Sequence, residues 1–244
     1  MKAIILSAGQ GSRLLPQTEE FPKCLLTLDD ETTILSWQLS QLQKAGIKEA
    51  VVVSGYQAEK VEAELARHSL PTRTIYNPFY KVADNLGSVW MARSEFADDF
   101  ILLNGDSLFV DAVPARLQRN AEKDAITITI SRKQDFDDDD MKVVESGGRL
   151  LEIGKRLQRN DVNAEAIGMI AFRGNGARVF RETVEAEMRH QYSLKNYYLS
   201  IIDDLAKHEI IGVCEAEQEE WCEVDFPADL EHAREVFKIW QSRA

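Results

Sequence analysis

The feature that most constrains the fold is the start of the chain, where a short apolar run leads directly into a glycine-containing loop. The run covers Ala3 to Leu6, is partly β-branched, and ends at Ser7-Ala8-Gly9. A short apolar run without polar alternation predicts a strand buried on both faces, as in parallel sheets covered by helices. Because such sheets bind ligands where their strands end, the sequence predicts a binding site at this loop.

The loop itself is suited to a ligand rich in phosphate. Gly9 and Gly11 allow backbone N–H groups to approach an anion closely, and Arg13 and Lys23 add positive charge nearby. Leu14 stands where the dinucleotide-binding fingerprint needs a third glycine, and the Gly-Lys-Ser/Thr of the Walker loop is missing. The loop therefore predicts a polyphosphate site of another type.

The rest of the chain predicts an α/β protein with a single domain over residues 1–244. In the first half, strands are predicted at 49–54, 73–76 and 100–103, and helices at 33–45, 57–68 and from Asn85 onward. In the second half, strands are predicted at 125–131, 165–172, 210–214 and 220–224, a hairpin at 141–145 and 149–153, and helices at 179–189, 195–207 and 230–242. The alternation predicts a doubly wound, mostly parallel but mixed sheet, with the hairpin as a small lid insertion.

Composition excludes several classes of function. The chain has 29 basic and 41 acidic residues, a net charge of -12, which argues against a nucleic-acid partner. The first apolar run is too short for a signal peptide or a membrane span, so we expect a cytoplasmic protein without a membrane partner. The three cysteines show no C-x-x-C pairing and predict neither disulfides nor zinc. Because the net charge is negative, an anionic substrate must be held by local cations such as Arg13, Lys23 and Lys155.

Acidic residues follow two of the predicted strands. Asp106 comes just after the strand at 100–103, where it is a candidate Mg²⁺ ligand. Glu223 and Asp225 alternate along the strand at 220–224 and its end, so they share one face; taken alone, each could equally be a surface or helix-capping group. A third acidic group, the run at 135–140, is expected to be a solvated loop because adjacent like charges repel each other.

Several of these motifs together resemble the nucleotidyltransferase superfamily that acts on sugar phosphates and phosphocholine. The matching strings are Gly9-x-Gly11-x-Arg13-Leu14, Pro22-Lys23-x-Leu25, Asn85-Leu86-Gly87-Ser88 and the late W-x-E-x-D-x-P-x-D-L string from Trp221 to Leu230. The late string is more similar to the choline-phosphate cytidylyltransferase branch than to the W-x-D-x-G-T of sugar-1-phosphate enzymes. It departs from the family at Phe226, where Thr is more usual.

The resemblance implies a Rossmann-like nucleotidyltransferase fold and a role for each matched residue. Arg13 and Lys23 are the implied catalytic residues, and Asp106 and Asp225 the implied ligands of one Mg²⁺. The nucleotide would be bound by Ala8, Gly9, Gly11, Ser12, Arg13, Asn85, Ser88 and Asp106. The acceptor would be bound by Lys155, Glu165, Tyr197, Trp221 and Glu223.

The implied reaction transfers a nucleotidyl group, CMP from CTP, to a small phosphorylated acceptor such as phosphocholine for cell-surface polysaccharide or lipid decoration. The acceptor phosphate needs no general base, because its second pKa is about 6 and it is already ionised near neutral pH. The alternatives are a sugar-1-phosphate or inositol-1-phosphate nucleotidyltransferase and a non-catalytic nucleotide-binding module. Retention of Arg13, Lys23, Asp106 and Asp225 together argues against the module, and a homodimer is compatible with any of these functions.

Aromatic residues near the late acidic string raise one more hypothesis. Tyr192, Tyr197, Tyr198 and Trp221 could form a cage for an ammonium group through cation–π contacts. The alternative is that they are ordinary packing aromatics. Since Tyr197 and Tyr198 are adjacent on a predicted helix and diverge by about 100°, at most one of them should face a pocket.

Overall fold

The computed structural model describes residues 1–158 and 160–243, and strands and helices alternate through most of them. The strands are β1 (Lys2–Ser7), β2 (Ala50–Ser54), β3 (Thr72–Tyr76), β4 (Phe100–Asn104), β5 (Ser107–Phe109), β6 (Ile126–Ser131), β7 (Lys142–Ser146), β8 (Arg149–Gly154), β9 (Ala164–Phe172), β10 (Ile211–Glu215) and β11 (Trp221–Glu223). The helices are α1 (Ile34–Lys44), α2 (Ala58–Leu65), α3 (Asn85–Met91), α4 (Ala112–Asn120), α5 (Asn175–Glu187), α6 (Leu199–Ala206) and α7 (Pro227–Arg243). None of the described helices is long and apolar enough to cross a bilayer.

Nine of the strands form one mixed sheet in the order β3-β2-β1-β4-β9-β6-β10-β8-β7. β1 lies between β2 and β4 and is parallel to both. β9 is antiparallel to β4 and β6, whereas β10 is parallel to β6. The predicted hairpin is present as β7 and β8, and it extends the main sheet at its edge. Its action as a lid stays a prediction.

Both faces of β1 are buried, as its continuous apolar run predicts. Successive side chains of a strand point to opposite faces. Ile4 accordingly packs into one core cluster, while Ala3 and Ile5 pack into the cluster on the other face. Helices cover the sheet. The loop after β1 therefore leaves the core at the carboxyl ends of the parallel strands, where β4 also ends.

The strand β11 was predicted at 220–224, but β5, its pairing with β11 in a separate two-stranded ribbon, and α4 were not predicted from the sequence. The ribbon is antiparallel and places Ser107 opposite Glu223. The backbone N–H of Val224 donates to the carbonyl of Asp106 over 3.1 Å. The ribbon thereby brings the acidic end of the late string next to the end of β4.

The largest differences between the predicted and observed helix boundaries are at the starts of α5 and α6. α5 begins at Asn175, four residues earlier than expected, and α6 begins at Leu199, four residues later. The delay in α6 arises because Ser193–Lys195 forms a single 3-10 turn before the chain extends at Asn196. Tyr197 therefore lies before the helix rather than within it.

Candidate active site

The loop after β1 contains two glycines in different surroundings. Gly11 has a φ of 78°, and a Cβ on it would lie 2.9 Å from the Cβ of Lys23. Such a conformation and such a close approach both favour glycine. Thr18 Oγ1 donates to the Gly11 carbonyl over 2.8 Å and holds the turn. At Gly9, by contrast, a Cβ would meet no atom of the described residues within 4 Å, so this residue faces open space.

A cavity of about 360 Å³ opens beside this loop. The predicted nucleotide-binding residues that line it are Ala8, Gly9, Gly11, Arg13, Asn85, Ser88 and Asp106, together with Lys23 and Asp225. Asn85 and Ser88 are held by the core, since Asn85 Oδ1 accepts from the Tyr198 backbone N–H over 2.8 Å and Ser88 Oγ accepts from Asn77 Nδ2 over 3.0 Å. Ser12 is exposed on the turn and does not line this cavity.

A second cavity, of about 380 Å³, contains the predicted acceptor residues, and we call it the acceptor cavity. Lys155, Glu165, Tyr197, Trp221 and Glu223 all line it. It shares Arg13, Asn85, Asp106, Tyr197 and Asp225 with the first cavity, so the two adjoin along these residues. The arrangement provides two neighbouring chambers with carboxylates and cations at their common wall.

Three carboxylates meet at that wall. Asp106, Glu223 and Asp225 each place one oxygen within 4.8 Å of the others. The ammonium of Lys23 lies 2.9 Å from Asp106 Oδ2 and 2.5 Å from Asp225 Oδ1. Arg13 also contacts Asp225, over 2.7 Å. Asp106 Oδ1 is buried without a hydrogen-bond partner among the described residues, so the cluster fits an oxygen-seeking divalent cation such as Mg²⁺.

The charges of this cluster are strongly coupled. Burial lowers the pKa of Lys23, but Asp106 and Asp225 outweigh it and the pKa is raised overall. Burial raises the pKa of Asp225, yet Lys23 and Arg13 outweigh this effect and hold the pKa of that carboxyl below its usual range. Glu223 can be reached by solvent, but it lies deep in the cavity. Desolvation contributes most to raising its pKa to about 8, and the negative charges of Asp106 and Asp225 add to this effect. The cluster thus holds three carboxyl groups and two cations, and Glu223 keeps its proton to a higher pH than a free carboxyl group does.

A second charged group lies in the acceptor cavity and was not predicted. Lys133 Nζ lies 2.7 Å from Asp140 Oδ1 and 2.9 Å from Glu165 Oε2. Burial raises the pKa of Glu165 to about 7 against the opposing effect of Lys133. Although burial acts the same way on Asp140, Lys133 and the backbone N–H of Asp137 hold the pKa of Asp140 below its usual range.

The register of the sheet explains why these three side chains meet. Ser131, the last residue of β6, pairs with Glu165 on one side, and Lys142, the first residue of β7, pairs with Glu165 on the other. The loop at 132–141 therefore begins and ends beside Glu165. The pairing of β6 and β7 with the same residue is a long-range feature, and no local motif in the sequence indicates it.

The acidic run at 135–140 is only partly the solvated loop that its charge predicts. Asp135, Asp137 and Asp138 are exposed. Asp139, however, contacts Arg13 over 3.2 Å and Lys155 over 3.4 Å, and with Asp140 it lines the acceptor cavity. The prediction was incomplete because cations from distant segments, which cannot be located from the run itself, offset the repulsion.

The aromatic residues do not assemble the four-membered cage. Tyr197 lines both cavities, with Lys155 Nζ 5.5 Å from its ring centroid, and Trp221 lines the acceptor cavity. Tyr198 is fully buried and donates to Asn104 Oδ1 over 3.3 Å, so only one of the adjacent tyrosines faces a pocket, as predicted. Tyr192 is 78% exposed and lines neither cavity, so its place in the cage was wrong.

Comparison with known proteins places this geometry in context. A family model described as Nucleotidyl transferase matches residues 2–154. Over 251 aligned residues the chain is 26% identical to the CTP:phosphoglutamine cytidylyltransferase of Campylobacter jejuni, covering 95% of this chain and 98% of that protein. Over 233 residues it is 28% identical to the bifunctional IPC transferase and DIPP synthase of Aquifex aeolicus, covering 95% of this chain. The chain spans 50% of the length of that bifunctional relative.

Solved structures show the same architecture. The CTP:phosphocholine cytidylyltransferase from Streptococcus pneumoniae superposes with a TM-score of 0.78 at 21% identity, covering 97% of this chain and 98% of the other. At this identity the likeness concerns the fold. It supports the Rossmann-like α/β architecture predicted from the sequence.

Proposed function

The chain belongs to the nucleotidyl transferase family, and we propose that it transfers CMP from CTP to a small phosphorylated acceptor and releases pyrophosphate. One observation carries the proposal. The glycine loop and Lys23 line the first cavity, and Lys23 contacts Asp106 and Asp225, the carboxylates at the wall that this cavity shares with the second. A transferase that joins two phosphorylated substrates needs such a wall, because the reacting phosphorus must lie between the two chambers.

The nucleotide half uses backbone and positive charge. The loop from Gly9 to Ser12 would direct N–H groups at the triphosphate, and the open space at Gly9 leaves room for its oxygens. Arg13, half-exposed at the cavity mouth, would neutralise the β and γ oxygens. Lys23 is more deeply placed and would meet the charge that develops at the α-phosphate during attack.

The acceptor half presents a phosphate oxygen to the α-phosphorus. Lys155 extends into this chamber beside Tyr197 and would hold the acceptor phosphate. The attacking oxygen is already ionised near neutral pH, so no residue has to remove a proton. Asp106 and Asp225 would hold Mg²⁺ with Glu223 beside them, and the ion when bound supplies Lewis acidity at the α-phosphate.

The choice of CTP rests on two supports of different kinds. The late string with Glu223 and Asp225 resembles that of choline-phosphate cytidylyltransferases. A relative aligned over 95% of this chain bears the name CTP:phosphoglutamine cytidylyltransferase. We place the reaction in the cytoplasm, where the activated product would serve decoration of a cell-surface polysaccharide or lipid.

A pyrophosphate-release screen tests this function. Each of the common ribonucleoside triphosphates and dTTP would be combined with phosphorylated amines, sugar-1-phosphates and inositol-1-phosphate in the presence of Mg²⁺. We expect release with CTP and a small phosphorylated acceptor, dependent on both substrates. Highest activity with UTP or dTTP and a sugar-1-phosphate would establish the sugar-phosphate alternative instead. Nucleotide binding without release for any pair would indicate a non-catalytic module.

A further inference from the structure

The acceptor cavity is far more acidic than a site for phosphates needs to be. Among the described residues that line it, eight are carboxylates and three are cationic. The cations Arg13 and Lys155 lie where phosphates are proposed to bind. The third cation, Lys133, lies between two carboxylates of the acceptor chamber. Asp106, Glu223 and Asp225 belong to the proposed Mg²⁺ site, and Asp139 contacts Arg13 and Lys155. Asp140 and Glu165 lie outside these two groups and are available to the rest of an acceptor.

Lys133 shows what kind of group this part of the cavity holds. Its primary ammonium is within hydrogen-bonding distance of both Asp140 and Glu165, at 2.7 and 2.9 Å. The side chains of Asp140 and Glu165 are only 10% and 12% exposed. The two buried carboxyl groups share one ammonium, and burial raises the pKa of Glu165 to about 7 against the opposing effect of Lys133. One lysine thus does not fully satisfy the pair.

Building on the proposed function, we propose that the acceptor is a phosphorylated primary amine whose ammonium group binds Asp140 and Glu165, and that Lys133 sets specificity by competing for this pair. In the substrate-free protein the lysine ammonium stabilises two carboxylates that would otherwise be buried without a counter-charge. An acceptor ammonium takes over part of that role. Lys133 is then a specificity-determining residue of the acceptor chamber.

The geometry favours a primary over a quaternary ammonium group. A primary ammonium has three N–H donors and can satisfy both carboxylates, as Lys133 does, whereas a quaternary group has none. Quaternary groups are bound mainly on aromatic faces. Here Lys155 lies over the Tyr197 ring, Tyr192 is exposed outside the chamber, and Tyr198 is buried. The carboxylate pair is thus better suited to recognition than the aromatics are.

The test compares acceptors of similar length on the same enzyme sample, with CTP and Mg²⁺. The acceptors are 2-aminoethyl phosphate, propyl phosphate, which lacks the charge, and phosphocholine, which lacks the N–H donors. The ratio of two kcat/KM values does not depend on the folded fraction of the sample. We expect 2-aminoethyl phosphate to be preferred over each of the others by about tenfold or more, the size of one hydrogen bond to a charged group.

Two variants locate the preference. Glu165→Gln should reduce the ratio of 2-aminoethyl to propyl phosphate by about tenfold or more, since it removes one charge from the pair. Its matched control is Glu145→Gln on β7, whose carboxylate pairs with Arg132 outside the acceptor cavity. Lys133→Met should raise the same ratio by lowering the KM for 2-aminoethyl phosphate. Arg132→Met, one residue away and not lining the cavity, should leave the ratio unchanged.

The outcomes separate the alternatives. If Lys133 binds the acceptor phosphate, Lys133→Met will raise the KM of every acceptor and leave the ratio unchanged; if it only holds the loop in place, kcat and KM will change together for all acceptors. Either result overturns the inference, as does a wild-type ratio near one. Calorimetric titration of the same acceptors needs no turnover. Tighter binding of 2-aminoethyl phosphate without pyrophosphate release would contradict the proposed function but support the inference, whereas equal binding of the amine and propyl phosphate would overturn the inference.

Discussion

Lys23 is the residue on which the charges of the site converge. It is 13% exposed and lies between Asp106 and Asp225, whereas Arg13 is 43% exposed at the cavity mouth. A deeply placed cation contributes most where charge develops during the reaction, and a peripheral one contributes to binding throughout. We therefore predict that Lys23→Ala lowers kcat more than Arg13→Ala does, while Arg13→Ala shows mainly in the KM for CTP.

Steady-state kinetics with CTP varied at saturating acceptor measures both effects. The variant Lys81→Ala, which removes an exposed lysine outside the described lining of both cavities, is the control. A larger loss of kcat in Arg13→Ala than in Lys23→Ala would mean that the two roles have been exchanged.

The carboxylates give a second prediction at this scale. Asp106→Ala and Asp225→Ala should each lower kcat by more than about a hundredfold, or about 2.7 kcal/mol of transition-state stabilisation. Each substitution removes an implied Mg²⁺ ligand and also one of the two partners of Lys23. Both variants should still unfold cooperatively, because the two residues lie just after β4 and β11 and neither is fully buried.

The control for these variants is Asp98→Ala, which removes an exposed carboxylate just before the opposite end of β4. Turnover measured across a Mg²⁺ titration provides the readout. An Asp106→Ala enzyme with wild-type turnover and an unchanged Mg²⁺ requirement would remove Asp106 from the metal site.

Among the elements, the loop after β1 offers a matched pair of glycines. Gly9→Ala introduces a methyl group into open cavity space, so we expect a higher KM for CTP with little change in melting temperature. Gly11→Ala places a Cβ 2.9 Å from Lys23 Cβ at a φ of 78°, so it should lower both stability and kcat. Thermal melting and steady-state kinetics on both variants provide the check. Equal destabilisation by the two substitutions would contradict this description of the loop.

A substitution in the loop at 132–141 is predicted to lower the KM values of the substrates rather than raise them. Asp139 pairs with Arg13 and Lys155, the two cations proposed to bind phosphates, and its own side chain is 50% exposed. Substrate phosphates must compete with this carboxylate. Asp139→Asn should therefore lower the KM for CTP and for the acceptor, by about twofold to fivefold for a partly exposed ion pair. Asp138→Asn, an exposed neighbour, is the control, and a raised KM in Asp139→Asn would show that Asp139 assists binding instead.

The elements differ in how far the sequence determines them. The strand β1, its glycine loop and the helix α1 could be predicted, because apolar periodicity and glycine positions are local signals. The strand β5 and its pairing with the predicted strand β11 could not, because the three residues of β5 show no periodicity and their partner lies more than a hundred residues away. For the same reason the contacts of Lys133, Asp139 and Asp140 were missed, although Asp106, Glu223 and Asp225 were found as residues at strand ends.

At the scale of the whole molecule, the site depends on the sheet topology. Lys23 and Asp225 are 202 positions apart in the chain, yet their charged atoms lie 2.5 Å apart. The parallel arrangement of β1 and β4 and the ribbon that joins β5 to β11 bring them together. The net charge of -12 makes this local meeting of cations more important, because the protein as a whole repels anionic substrates.

The proposed function requires that the two cavities bring a nucleotide and an acceptor together at the α-phosphorus. Phosphorus NMR of CTP, Mg²⁺ and 2-aminoethyl phosphate incubated with the enzyme tests it directly. We predict equal amounts of pyrophosphate and of a new diphosphate diester in which CMP is linked to the acceptor phosphate, with neither product when Mg²⁺ or the acceptor is omitted. Formation of CDP together with inorganic phosphate, or with an acceptor that has received the γ-phosphate, would contradict this prediction. Binding of CTP without its consumption, whichever phosphorylated acceptor is added, would also contradict it.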